Sequence, residues 1–142
     1  MTGHHFRPLG LTALLLALCA FLGGCGRQSE GSVQVLLDGE PTEASVIPSG
    51  AEDDLRVYVT LDGQPLIEMP FGEVHTLSVV QPDGAENVVK FTGDAVYMER
   101  ANCENQDCVQ MGAVTGDNLE MRVMGGFIVC LPHRVSVEVR GG

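Results

Sequence analysis

From Leu55 to the end, this chain is built of short alternating runs, each closed by a residue pair that forces a tight turn. Leu55-Arg56-Val57-Tyr58-Val59-Thr60-Leu61 alternates, and Asp62-Gly63 follows it. A type I′ turn needs positive φ at both centre residues, which Asp-Gly tolerates, so a hairpin back through Gln64 to Met69 is expected. Pro70-Phe71-Gly72 breaks that run. Val74 to Val80 alternates again, Pro82-Asp83-Gly84 turns the chain, Asn87 to Thr92 returns, and Gly93-Asp94 leads into Ala95 to Arg100. Phe127 to Cys130 and Val135 to Val139 close the series. Leu119 to Met124 alternates as well and is expected to add a strand inside a long loop. Helical periodicity is missing, apart from one short helical turn expected between Asn105 and Met111. The pattern predicts an all-β fold, a small antiparallel β-barrel or sandwich.

That region, 55–142, is expected to be the folded domain. At roughly 85 residues it can hold one core. What precedes it has a different composition. A weakly basic start (His4, His5, Arg7) leads into an apolar run from Leu9 to Leu22. The run falls short of the roughly 20 residues a membrane span needs, and it suits a secretory signal. It ends Leu22-Gly23-Gly24-Cys25, which resembles the lipobox of bacterial lipoproteins. That resemblance implies a signal peptide over 1–24 and Cys25 as the lipid-bearing N-terminus. Cys19 fits less well, because bulky Leu18 precedes it. Residues 25–54, rich in Ser, Gly, Pro and Glu, are expected to be a flexible tether. Within it Ser32-Val33-Gln34-Val35-Leu36-Leu37 reads equally as a first strand and as an apolar patch in the tether; both remain open.

Charge narrows the partners. All 19 acidic residues lie after Cys25, with seven of the eight basic ones, so the mature part carries −12 (−19 + 7). Such a chain lacks the basic footprint by which proteins bind nucleic acid. It is also repelled by anionic head groups, so contact with the membrane is expected through the lipid on Cys25. The expected location is the outer face of a bacterial cytoplasmic membrane.

Two segments hold every cysteine of the folded part: Asn102-Cys103-Glu104-Asn105-Gln106-Asp107-Cys108-Val109-Gln110-Met111-Gly112 and Ile128-Val129-Cys130-Leu131-Pro132-His133-Arg134. With the strand–Asp-Gly–strand layout before them, these segments resemble the NusG domain II family over Leu55 to Val139. The specific part is Asn102, Cys103, Cys108, Val109 and Gly112 with Cys130-Leu131-Pro132. The chain departs from the family at Glu104, where proline is usual, and in a longer segment between Gly112 and Phe127. The resemblance implies a small all-β domain, found both inside some bacterial transcription factors and as stand-alone exported or lipid-anchored proteins. The lipobox and the negative charge argue against a transcription role here.

Three cysteines allow several chemistries. In an oxidising compartment a structural disulfide plus one buried thiol is expected. Cys103 with Cys108 is nearest in sequence; pairing either with Cys130 closes a longer loop and stabilises more. The metal alternative takes Cys103, Cys108, Cys130 and His133 as a three-thiolate, one-imidazole set that suits zinc. Cys130-x2-His133 also resembles half of a Rieske motif, but a Rieske centre needs two histidines. Thiol exchange is disfavoured, because Glu104 and Asp107 should raise the thiol pKa values by repulsion.

Other features are weaker. His75 reads as a rim residue, and Asn102 is expected to cap the turn that follows it. Glu52-Asp53-Asp54 reads as solvated linker, and no nucleophile, base and orienting group share a spacing. The reading is therefore a lipid-anchored extracytoplasmic β-domain, not an enzyme and without a cofactor. It would serve as a binding or accessory module beside a protein partner in the envelope. The alternative is a cysteine-based redox or zinc protein beside a membrane electron-transfer system.

Overall fold

Asp62 and Gly63 adopt φ of 53° and 75°, the doubly left-handed turn their sequence requires. They join β4 (Leu55–Leu61) to β5 (Gln64–Pro70). The structure is a computed structural model that describes residues 31–43, 45–46 and 55–141. The expected signal peptide, 1–24, Cys25, and residues 26–30, 44 and 47–54 of the expected tether lie outside the described residues.

Two sheets face each other, neither closed into a barrel, so the fold is a sandwich. The first has the order β2 (Glu40–Thr42), β1 (Gln34–Leu37), β6 (Val74–Val80), β7 (Glu86–Thr92), β8 (Ala95–Ala101), β9 (Val114–Thr115). The second runs β10 (Phe127–Cys130), β11 (Val135–Gly141), β4, β5, β3 (Ser45–Val46). Pairing is antiparallel throughout, except that β3 lies parallel to β5. Leu77, Val79, Val89, Phe91, Val96 and Met98 from one sheet pack on Val57, Val59, Ile67, Met69, Ile128 and Val137 from the other. Each set comes from alternate positions, as period-two side-chain geometry dictates. A register shift pairs Val88 with Arg100 and Val89 with Met98, leaving Glu99 of β8 over, a bulge the simple alternation did not predict.

The open alternative at Val33 to Leu37 resolves as a strand. Val35 is 7% exposed and pairs with Val79, while Leu37 pairs with Leu77. A second Asp-Gly turn, Asp38 and Gly39 at φ 53° and 88°, returns the chain as β2. The fold therefore takes in residues that the tether expectation, 25–54, left outside it.

Leu119 to Met124 is not a strand. Residues 116–126 form successive turns, with the amides of Met121 and Arg122 both donating to the Asn118 carbonyl. Alternation alone makes no strand unless the segment pairs with a neighbour. Instead the Arg122 guanidinium donates to the carbonyls of Gly125, Met111, Ala113 and Phe127. Five N–H groups in a rigid fork can hold several loop carbonyls at once.

Candidate functional site

Cys103 leaves the end of β8 on one sheet, and Cys130 ends β10 on the edge of the other. The strands that deliver them belong to different sheets, so the cysteines meet across the gap between sheets. What brings them together is α1 (Asp107–Gln110), which carries Cys108 and packs on both β8 and β10. Pro132 ends β10, since proline has no amide hydrogen for the ladder, and the chain turns through 131–134 into β11.

Gln106 sets the geometry. Its backbone is left-handed, at φ 55°, which reverses the chain into α1. Its side-chain amide donates to the carbonyls of Ala101, at 2.8 Å, and Cys103. The loop between the first two cysteines is thus held from inside by a residue for which the sequence offered no signal. Asn102 does not cap that turn. Its Oδ1 accepts from Glu86 N at 2.8 Å and its Nδ2 donates to Gly84 O at 2.9 Å, so it locks the turn between β6 and β7.

The three sulfurs lie within 4.8 Å of one another, and all three residues are buried. Cys103 Sγ is 3.7 Å from Cys108 Sγ. A disulfide bond is about 2.05 Å, so the three thiols stand unbonded and none of the expected pairings is present. Burial pushes the Cys108 thiol up to about 12, aided by its hydrogen bonds with Cys130 and Cys103. Such a thiol stays protonated at neutral pH and is a poor nucleophile.

His133 does not join the cluster. Its Nδ1 lies 2.8 Å from Asn87 Oδ1, and its carbonyl accepts from Gln81 Nε2 at 2.8 Å. Asn87 is fully buried, and its Nδ2 reaches the sulfur of Met98 at 3.5 Å. The histidine therefore satisfies a buried polar group in the core instead of facing the thiols. His75, read as a rim residue, is bound on both ring nitrogens: Nδ1 lies 2.7 Å from Asp38 Oδ2 and Nε2 2.9 Å from Glu73 Oε2.

Apolar side chains face solvent in the 116–126 segment and in the turn after β10. Met121 is 77% exposed, Leu131 78%, and Val123 fully. Met111, Met121, Arg122, Val123 and Met124 line an open pocket of about 390 Å³ beside them. Among the described residues no helix is long and apolar enough to cross a membrane.

The model of one protein family, NusG domain II, matches residues 11–142. Two solved structures share the fold. The Lin0431 protein from Listeria innocua is 23% identical, with a TM-score of 0.54 over 63% of this chain and 98% of that one. A DUF1312 family protein from Enterococcus faecalis is 21% identical, with a TM-score of 0.54 over 62% and 98%. Neither name states an activity. No curated protein matches the chain.

Proposed function

We propose, given that this chain belongs to the NusG domain II family, that it is a lipid-anchored extracytoplasmic binding module serving an envelope complex. In this reading Cys25 holds the lipid, and the sandwich presents the surface around Met121, Val123 and Met124 to a protein partner. The observation that carries the reading is the exposure of Met121, Val123 and Met124 around one open pocket. Large apolar side chains grouped on a surface mark sites of contact. Methionines suit such a surface because they are flexible and polarisable. The remaining surface is acidic, which favours a partner that is neutral or basic around an apolar centre.

Catalysis by the cysteines is a weaker reading. The Cys108 thiol is held protonated by burial, and no base is paired with it.

A photoreactive amino acid at position 123, activated in intact cells, tests the module. A discrete adduct is expected, and Met121→Asp with Met124→Asp should remove it while the fold persists. An adduct unaffected by those changes, or found equally from position 83 in the turn between β6 and β7, would contradict the proposal.

A further inference from the structure

We infer that Cys103, Cys108 and Cys130 form a zinc(II) site in which the fourth donor is a water molecule. The inference is independent of the binding reading and concerns residues that reading does not use.

Three buried cysteines can serve simply as small apolar side chains. What sets these apart is their mutual approach. Zinc holds thiolate sulfur at about 2.3 Å, which places tetrahedral ligands roughly 3.8 Å apart. The observed separation of Cys103 and Cys108 is 3.7 Å, and the third sulfur is within 4.8 Å of both. Closing the remaining distance takes side-chain rotation rather than movement of strands. Each ligand also comes from a separate element, β8's extension, α1 and the end of β10. A metal there would tie the two sheets together at the one end where a helix of only four residues spans them.

A fourth protein ligand is absent among the described residues. His133, the candidate from spacing, is turned to Asn87. A void of about 30 Å³ lies against Cys108 and Cys130, and Asn105 and Asp107 also line it. That is room for one water with polar partners beside it. Three protein ligands plus water is the pattern of zinc sites that keep an open position.

The charge favours zinc over a monovalent soft ion. Three thiolates with zinc leave −1 in the buried site, whereas copper(I) would leave −2, and buried net charge is costly. Uptake releases the three thiol protons to solvent, and no electron is transferred.

The test uses the full chain, purified without chelator and reconstituted under reducing conditions. About one zinc per chain is expected. Cobalt(II) in its place should give the intense visible absorption of a tetrahedral thiolate complex. Cys103→Ser, Cys108→Ser and Cys130→Ser should each cut zinc retention at least tenfold, while His133→Ala keeps it. Should a serine variant fail to fold, the cobalt spectrum of the unaltered chain still decides. No bound zinc, a weak octahedral cobalt spectrum, or loss of zinc in His133→Ala would each overturn the site.

Discussion

Two residues carry more of the 116–126 segment than their sequence context announces. Arg122 ties residues 116–126 to the end of α1 and to β10 through four backbone carbonyls. Arg122→Ala should therefore destabilise the domain by about 1–2 kcal/mol, from lost charge-assisted hydrogen bonds in a half-exposed setting. Arg122→Lys should not restore it, because a single ammonium cannot reproduce the fork. Thermal melts of both variants check this; full rescue by lysine would show that charge alone matters. Gly126 is the second. A Cβ there would meet the Val139 carbonyl oxygen at 1.9 Å, backbone that is itself held by a Val139 N to Gly126 O bond of 3.0 Å. Gly126→Ala should cost roughly 1–3 kcal/mol by overpacking, and an unchanged melting temperature would argue against this close approach. Neither role was legible in the sequence. An arginine in a loop has no partner until the loop closes, and Gly125-Gly126 reads as an ordinary turn.

Strands were the legible elements. Seven of them follow from alternation and turn chemistry, because a half-buried strand and an Asp-Gly turn leave local signatures. Short edge strands do not. β3 and β9 have two residues each, too few to show a period. The β1–β2 hairpin is the instructive case, since Asp38-Gly39 repeats the signal of Asp62-Gly63 inside a stretch whose overall composition resembles a tether. Its attachment also depends on charge. Asp38 Oδ1 accepts from Thr76 N at 2.8 Å, and its other oxygen meets His75. Hydrogen bonding to Asp38 holds the His75 pKa above its ordinary value, with Glu73 adding to it. The bond to His75 in turn holds the Asp38 carboxyl below its usual range, with smaller help from Thr76 and Lys90. The histidine's contribution is complete below its unfolded pKa of about 6.5 and fades as pH rises through the raised folded value. That of Asp38 is complete above about 3.9 and fades as pH falls through its lowered value. Protection of the β1 amides from hydrogen exchange, corrected for intrinsic rate, should therefore be greatest at about pH 4–6.5 and decline toward alkaline pH. His75→Ala should flatten the alkaline decline; a decline that persists in that variant would assign it to another group.

At the scale of the molecule, the hairpin changes how far the domain can stand from a membrane. If Cys25 bears the lipid, only residues 26–33 separate it from β1, eight residues (34 − 26). They span at most about 28 Å when extended, so the sandwich would sit close to the head groups. Cys25→Ser should release the protein from the membrane fraction or leave it unprocessed. A mature-size variant still in membranes would contradict the anchor. The site itself was half legible: the sequence singled out Cys103, Cys108 and Cys130, but two-dimensional spacing could not show that His133 turns away to Asn87 or that the sulfurs meet across two sheets. That meeting of three unbonded thiols is the central claim. Acid-quenched cells, followed by alkylation in denaturant with a chelator and intact-mass analysis, test it most directly. Three alkylated residues at Cys103, Cys108 and Cys130 are predicted. A single alkylated cysteine, with the other two joined in a disulfide, would contradict it.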